Sequence, residues 1–365
     1  MKSYIPLICL LWSCSGVGMG QATSQVSIPS TQYYDIHARE VNDTFRIYVF
    51  TPPAHHPHDD LPVLYVTDGD WLFTQAINSI SQLKQDYIAR EPLIVAIGYG
   101  PRKNQRDRDL HPDHGAKNFL AFIQTELMPF IKTRYQTSDD NTLFGYSLGG
   151  LFATFALFQD NSPFKTILIG SPGGNAVGLI PSTAAYLKNH PVIPARFFLA
   201  AGSYELETAA YIRRFESYIN SKLSEDQYQI MICADVGHGS AVSAVMQNAI
   251  RFAYCKQFTP THVPVKQLKG LTGPYAQPGR ESSIFTVFLK DNELIVQQPG
   301  LGEYPVRYPI YPVSDTSFFM KEAPDRLLIF PKNPRTPHFS VQIRDQPPIV
   351  FNKLFPQGTN RKDEK

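Results

Sequence analysis

Phe144-Gly145-Tyr146-Ser147-Leu148-Gly149-Gly150 lies inside a run, residues 141–158, that carries no charged side chain. A lone serine between glycines in so apolar a stretch has two readings. The glycines serve packing alone, letting a buried strand lie close to a buried helix, or they present Ser147 as a nucleophile. The bare G-x-S-x-G pattern does not decide, because glycine and serine are common enough for chance matches. Its setting favours the second reading. Residues 142–145 read as a strand and 148–158 as a helix, so Ser147 falls at the strand-to-helix turn. A nucleophile elbow holds serine there in a strained, exposed position.

Outward from this turn, strand and helix patterns alternate over residues 32–255. Short runs rich in Val, Ile, Leu and Phe recur at 32–42, 44–51, 61–67, 93–98, 142–145, 165–170, 195–201 and 228–234. Such runs suit strands buried on both faces. Between them the clearest helical stripe is 116–135, with Phe119, Leu120, Phe122, Ile123, Leu127, Phe130 and Ile131 on one face. Pro129 is expected to kink it by removing a backbone donor. The alternation predicts an α/β fold, a mostly parallel sheet with helices on both faces. Ligands of such sheets sit beyond the C-terminal strand ends.

A serine hydroxyl needs a base to take its proton, and a hydrolase of this architecture supplies serine, acid and histidine in that chain order. Two histidines follow Ser147 before residue 255, His190 and His238. His190 enters a strand, the wrong end of the sheet. His238, in Val236-Gly237-His238-Gly239-Ser240, follows the strand 228–234 on the right edge. Glu205, just beyond the strand 195–201, is the preferred acid, with Glu207 as substitute; Asp235 is too near His238 along the chain. An oxyanion hole needs two backbone donors. The amide of Leu148 is one, and the amide of Asp70, in the turn after 61–67, is the other. Arg106, Arg108 and Asp109 follow the strand 93–98 near the same edge. Arg106 reads first as half of a structural ion pair and second as a substrate-binding cation. Tyr146 and Trp71 are further substrate-binding candidates. No metal or organic cofactor is implied: there is no Cys-x-x-Cys pair, and His55, His56 and His58 read as a solvated turn.

With these residues assigned, V-L-Y-V-T-D-G-D (63–70), A-I-G-Y-G (96–100), R-D-R-D-L-H-P (106–112), F-G-Y-S-L-G-G-L-F-A (144–153), A-A-G-S-Y-E (200–205) and V-G-H-G-S (236–240) stand in order. In this the chain resembles the putative esterase (esterase D-like) family of α/β-hydrolases, in particular its enterochelin esterase-like branch. The resemblance implies Ser147 as nucleophile, His238 as base, Glu205 as acid and Asp70 as an aid to the oxyanion. Two stretches depart from the pattern, His114-Gly115 and Ser171-Pro172-Gly173-Gly174-Asn175. The second lines the substrate pocket in such folds, so substrate preference does not transfer. Carboxylic ester hydrolysis is the expected reaction. Acyl transfer by the same residues, or a silent hydrolase scaffold kept for binding, are the alternatives.

The chain is expected to divide into a signal at 1–22, a catalytic domain at 30–255, a linker at 256–269, an antiparallel β-domain at 270–356 and a charged tail at 357–365. Half of the 30 prolines fall after residue 255, which disfavours helices there. Lys2 and the apolar run 4–12 have the layout of an export signal, too short for a permanent membrane span. Cleavage after residues 20–22 competes with a lipobox reading of Leu11-Trp12-Ser13-Cys14, which would lipidate Cys14. Both place the protein outside the cytoplasm, in the periplasm, at the outer membrane or secreted. A net charge of +2 without basic clusters argues against nucleic acid as partner. The expected partner is a small-molecule, lipid or polysaccharide ester.

Overall fold

The computed structural model describes residues 27–355 except 54–59, 87–89, 225, 257, 301–303, 333–336 and 344–345. The signal region with Cys14, the histidines at 55, 56 and 58, and the charged tail lie outside the described residues.

Eight strands form the first sheet: β1 (Thr31–Ala38), β2 (Asp43–Phe50), β3 (Leu61–Val66), β4 (Leu93–Gly98), β5 (Thr137–Tyr146), β6 (Thr166–Gly170), β7 (Arg196–Gly202) and β8 (Tyr228–Cys233). Their spatial order is β1-β2-β4-β3-β5-β6-β7-β8. The β1–β2 and β2–β4 pairs are antiparallel, and every pair from β4 to β8 is parallel. This is the α/β-hydrolase type of sheet. Strands β3 and β4 are buried at every residue, because successive side chains feed opposite cores. Tyr65, Leu143 and Phe197 join one core with Phe45, Phe119, Phe122 and Phe152. Their chain neighbours Leu64, Phe144 and Phe198 join the other with Leu72, Met246 and Ile250. A period of two with both faces covered reads as an unbroken apolar run.

The second core is roofed by α1 (Gly69–Asp86) and α8 (Val242–Tyr254). The first core is covered chiefly by α3 (Ala116–Phe122), α5 (Leu148–Leu157), α6 (Leu179–Asn189) and α7 (Leu206–Ile219). Short helices complete the set: α2 (Arg106–Leu110), α4 (Met128–Lys132) and α9 (Val265–Gly270). The expected helix 116–135 is not one kinked α-helix. Its middle, Ile123–Leu127, is a π-helical turn, with the Met128 N–H bonding the Ile123 carbonyl. The wider turn comes immediately before Pro129, so the ladder is rearranged where proline removes a donor. Likewise β5 starts five residues before the expected strand: polar Thr137 pairs with Leu61, across an irregular register.

The C-terminal part is a closed antiparallel barrel of β9 (Gly273–Ala276), β10 (Ile284–Lys290), β11 (Glu293–Gln298), β12 (Val306–Pro312), β13 (Ser317–Phe319), β14 (Arg326–Ile329), β15 (His338–Ile343) and β16 (Ile349–Lys353). β9, too short to announce itself in the sequence, pairs with both β10 and β16 and closes the ring. Tyr275, Leu294, Ile310, Phe318, Phe330, Phe339 and Phe351 fill its interior. Asp291 and Asn292 both take positive φ (53° and 66°) in the β10–β11 hairpin, the geometry that matches strand twist. All but the last residue of α9 lies in the stretch expected to be linker. Cys233 and Cys255 are both buried. Among the described residues no helix is long and apolar enough to cross a membrane.

Candidate active site

The strand order reverses at β3, which has β4 on one side and β5 on the other. Loops leaving these neighbours in opposite directions open a crevice at the C-terminal strand edge. The turn that carries Ser147 is there. Ser147 links β5 to α5 with φ 59° and ψ −120°, a conformation disfavoured for any residue with a Cβ. Its N–H is held by the Gly170 carbonyl at 2.9 Å. Glycines make the turn feasible. A Cβ at Gly145 would overlap the Gly149 carbonyl, and one at Gly149 would overlap Thr67 Oγ1 and press on the Asp68 carboxylate. The elbow therefore lies directly on the β3–α1 turn.

Three side chains from three loops meet at this edge. The Ser147 hydroxyl is 3.0 Å from His238 Nε2, and His238 Nδ1 is 2.7 Å from Glu205 Oε2. The carboxylate fixes the tautomer: Nδ1 carries the proton it donates, leaving Nε2 as acceptor for the serine. The other carboxylate oxygen, Oε1, accepts from Ser171 Oγ at 2.6 Å and from the Gly202 N–H at 2.9 Å. Burial pushes the Glu205 carboxyl up, but the bonds from Ser171, His238 and Gly202 outweigh it and hold the group below the ordinary glutamate range. The Glu205 side chain keeps 9% of its surface exposed and the His238 side chain 47%. Glu207 makes no such approach; it is exposed in the first turn of α7. His190 is elsewhere, stacked on Tyr186 and 3.2 Å from Asp160.

Two helix starts at this edge leave backbone donors without an acceptor inside the helix. In α5 the first intrahelical bond runs from Leu151 to Ser147, so the Leu148 amide has no acceptor within the helix. In α1 the amides of Trp71 and Leu72 bond the Asp68 carbonyl, so those of Gly69 and Asp70 precede the ladder. The Asp70 carboxylate is already engaged, accepting from the Tyr48 hydroxyl at 2.7 Å and the Tyr99 and Gly100 amides at 2.7 and 2.9 Å. What Asp70 can offer a reacting group is its backbone N–H.

Two of the substrate-contact candidates are engaged within the protein. Tyr146 is 1% exposed: its ring lies between Trp71 and His238, and its hydroxyl donates to the His238 carbonyl. Burial raises its pKa to about 12, so it remains a donor and ties the histidine loop to β5. Arg106 is spent on Asp68, bonding both carboxylate oxygens at 2.7 and 3.0 Å, which is the structural ion pair. Trp71 stays 42% exposed at the site, and Tyr204 and Leu206 flank Glu205 as exposed side chains. The contacts of Ser171 and Asp68 had no sequence signal, because each partner is distant along the chain.

The sequence model of the Putative esterase family matches residues 38–267, all the sheet beyond β1 and its helices. The chain belongs to this family. Its chemistry is accordingly that of an ester hydrolase, and the matched region ends before the barrel begins. Ferri-bacillibactin esterase BesA of Bacillus subtilis is similar at 27% identity, over 64% of this chain and 93% of that protein. The siderophore triacetylfusarinine C esterase of Aspergillus fumigatus is 26% identical, over 48% of this chain and 67% of that one. The fold is shared with the BES protein of Bacillus cereus (TM-score 0.55, 24% identity) and with siderophore hydrolase EstB of Aspergillus nidulans (TM-score 0.56, 21% identity). Each of these covers 64% of this chain and 98% of its own.

Proposed function

We propose that this esterase is an exported serine hydrolase that cleaves siderophore-type carboxylic esters through an acyl-Ser147 intermediate. One observation carries the reading: Ser147, His238 and Glu205 form a continuous hydrogen-bonded chain, with spacings of 3.0 and 2.7 Å. Ser147 Oγ attacks the ester carbonyl carbon while His238 Nε2 takes its proton. The carbonyl oxygen gains charge opposite the Leu148 and Asp70 amides. Glu205 stabilises the imidazolium without taking its proton. Collapse breaks the ester C–O bond, and His238 returns the proton to the departing alcohol. A water, deprotonated by the same Nε2, then attacks the acyl carbon; the bond from that carbon to Ser147 Oγ breaks, His238 returns the proton to Oγ, and the acid leaves.

Hydrolysis is favoured over acyl transfer because His238 is open to solvent, so water has ready access to the acyl-enzyme. A silent scaffold is disfavoured because the serine's strained backbone serves no packing purpose that a glycine would not serve better. The substrate class is supported by the siderophore esters for which the similar esterases are named and by the exposed Trp71 and Tyr204, flat surfaces on which an aryl-bearing ester can stack. Export is supported by the charged-then-apolar layout of residues 1–22.

Purified protein and Ser147→Ala are to be compared on ferric enterobactin and on short- and long-chain p-nitrophenyl esters. Wild type is expected to cleave the siderophore with the highest kcat/KM. The variant should lose at least about 10⁴-fold on every ester. Preference for simple acyl esters with no cleavage of the siderophore removes the substrate assignment. Undiminished activity of Ser147→Ala removes the mechanism.

A further inference from the structure

We propose that Ser171 is a positioning residue, whose hydroxyl locks the rotation of the Glu205 carboxylate so that Oε2 stays aimed at His238. The inference rests on the serine-esterase reading above. Ser171 follows the last residue of β6 and is completely buried, at 0% exposure. Its N–H bonds the Ala200 carbonyl at 2.7 Å, and its Oγ donates to Glu205 Oε1 at 2.6 Å. The Gly202 amide reaches that same oxygen at 2.9 Å, and His238 takes the other at 2.7 Å.

The terminal torsion of glutamate is soft and roughly two-fold, so covalent geometry alone does not hold the carboxylate plane. Two donors on Oε1 define that plane. One donor leaves the group free to swing about the Gly202 amide and carry Oε2 away from the imidazole. The backbone adds a second, independent observation. Ser171 has φ 39°, in the left-handed region where a Cβ costs energy and glycine does not. A serine kept in that conformation, with its hydroxyl delivered to the acid, is accounted for by the hydroxyl. Removing it also strips Glu205 of one of the bonds that depress its pKa. Deprotonation of the acid then requires a higher pH than in the wild type.

Ser171→Ala keeps the side-chain packing, and Ser171→Gly suits the left-handed backbone, so the two variants fail to fold for different reasons if they fail at all. Both are to be assayed on p-nitrophenyl butyrate, in the wild type and in a Glu205→Ala background. The expected result is a fall in kcat of about tenfold, the size of one lost hydrogen bond to a charged group, with KM unchanged. In the Glu205→Ala background the same substitution should change kcat less than about twofold, because the group it orients is gone. A kcat within about twofold of wild type in both single variants overturns the proposal. So does an equal fall with and without Glu205, which would mark Ser171 as merely structural. Full activity in Ser147→Ala, assayed alongside, would instead remove the parent mechanism.

Discussion

At the residue scale the site is a chain of hydrogen bonds in which each member restricts the next. Ser171 and the Gly202 amide bond Glu205, Glu205 bonds His238, and the Tyr146 hydroxyl holds the His238 carbonyl. Glu205 links this order to stability. Its carboxyl is held below the ordinary glutamate value, so the folded state favours the ionised form. That contribution is fully present above the unfolded-state pKa and is lost as pH falls through the lower folded-state one. Glu205→Gln should therefore flatten the acid end of the stability profile, read as urea midpoints from about pH 7 to about pH 3. A variant that loses stability on acidification as steeply as wild type contradicts this. The meeting of Ser147, His238 and Glu205 was legible from sequence because each follows a recognisable strand in a set chain order. Ser171 was not, since nothing local to Ser-Pro-Gly-Gly marks a hydroxyl that meets an acid 34 residues away.

At the element scale the decisive contact is the β3–α1 turn against the elbow. Asp68 takes φ 54° and its side chain is 1% exposed, tied to Arg106 from α2. The pair pins the turn that starts α1 and presents the Asp70 amide. Breaking a fully buried pair costs about 3–5 kcal/mol. Arg106 keeps 32% of its side chain exposed, so solvent screening reduces the expected loss for Asp68→Ala to roughly 2 kcal/mol. Urea denaturation should show that loss together with a fall in kcat, because the turn carries the proposed oxyanion donor. Unchanged kcat in a folded variant would detach the pair from catalysis. Element boundaries were legible where apolar runs are continuous, as in β3 and β4. They were not where pairing overrides composition: Thr137-Ser138-Asp139-Asp140-Asn141 reads as a polar loop yet extends β5. The π-turn was likewise hidden, because Pro129 signals a lost donor but not how the helix absorbs it.

At the scale of the whole molecule, the barrel attaches away from the chemistry. Helix α1 begins at the site and runs 18 residues, about 27 Å at 1.5 Å per residue. At its far end the Asp86 carbonyl accepts the Asp325 N–H of the barrel at 3.2 Å. The hydrolase part has its own two cores, and BesA matches it over 93% of that relative's length. A chain ending at residue 270 should thus keep kcat/KM on p-nitrophenyl butyrate within about threefold of the whole protein. A tenfold loss in a folded truncation would make the barrel part of the active site. The antiparallel character of this region was legible from its prolines and short alternating runs. Closure was not, because it depends on four residues of β9 bridging β10 and β16.

The central claim is that Ser147 is activated by His238. Its most direct test is peptide mass analysis after reaction with a fluorophosphonate probe, on wild type and His238→Ala. The account predicts one adduct, on the peptide containing Ser147, formed by wild type and at least about a thousandfold slower without the imidazole. Wild-type protein that hydrolyses esters yet carries no adduct at Ser147, or labelling that is indifferent to His238, would contradict it.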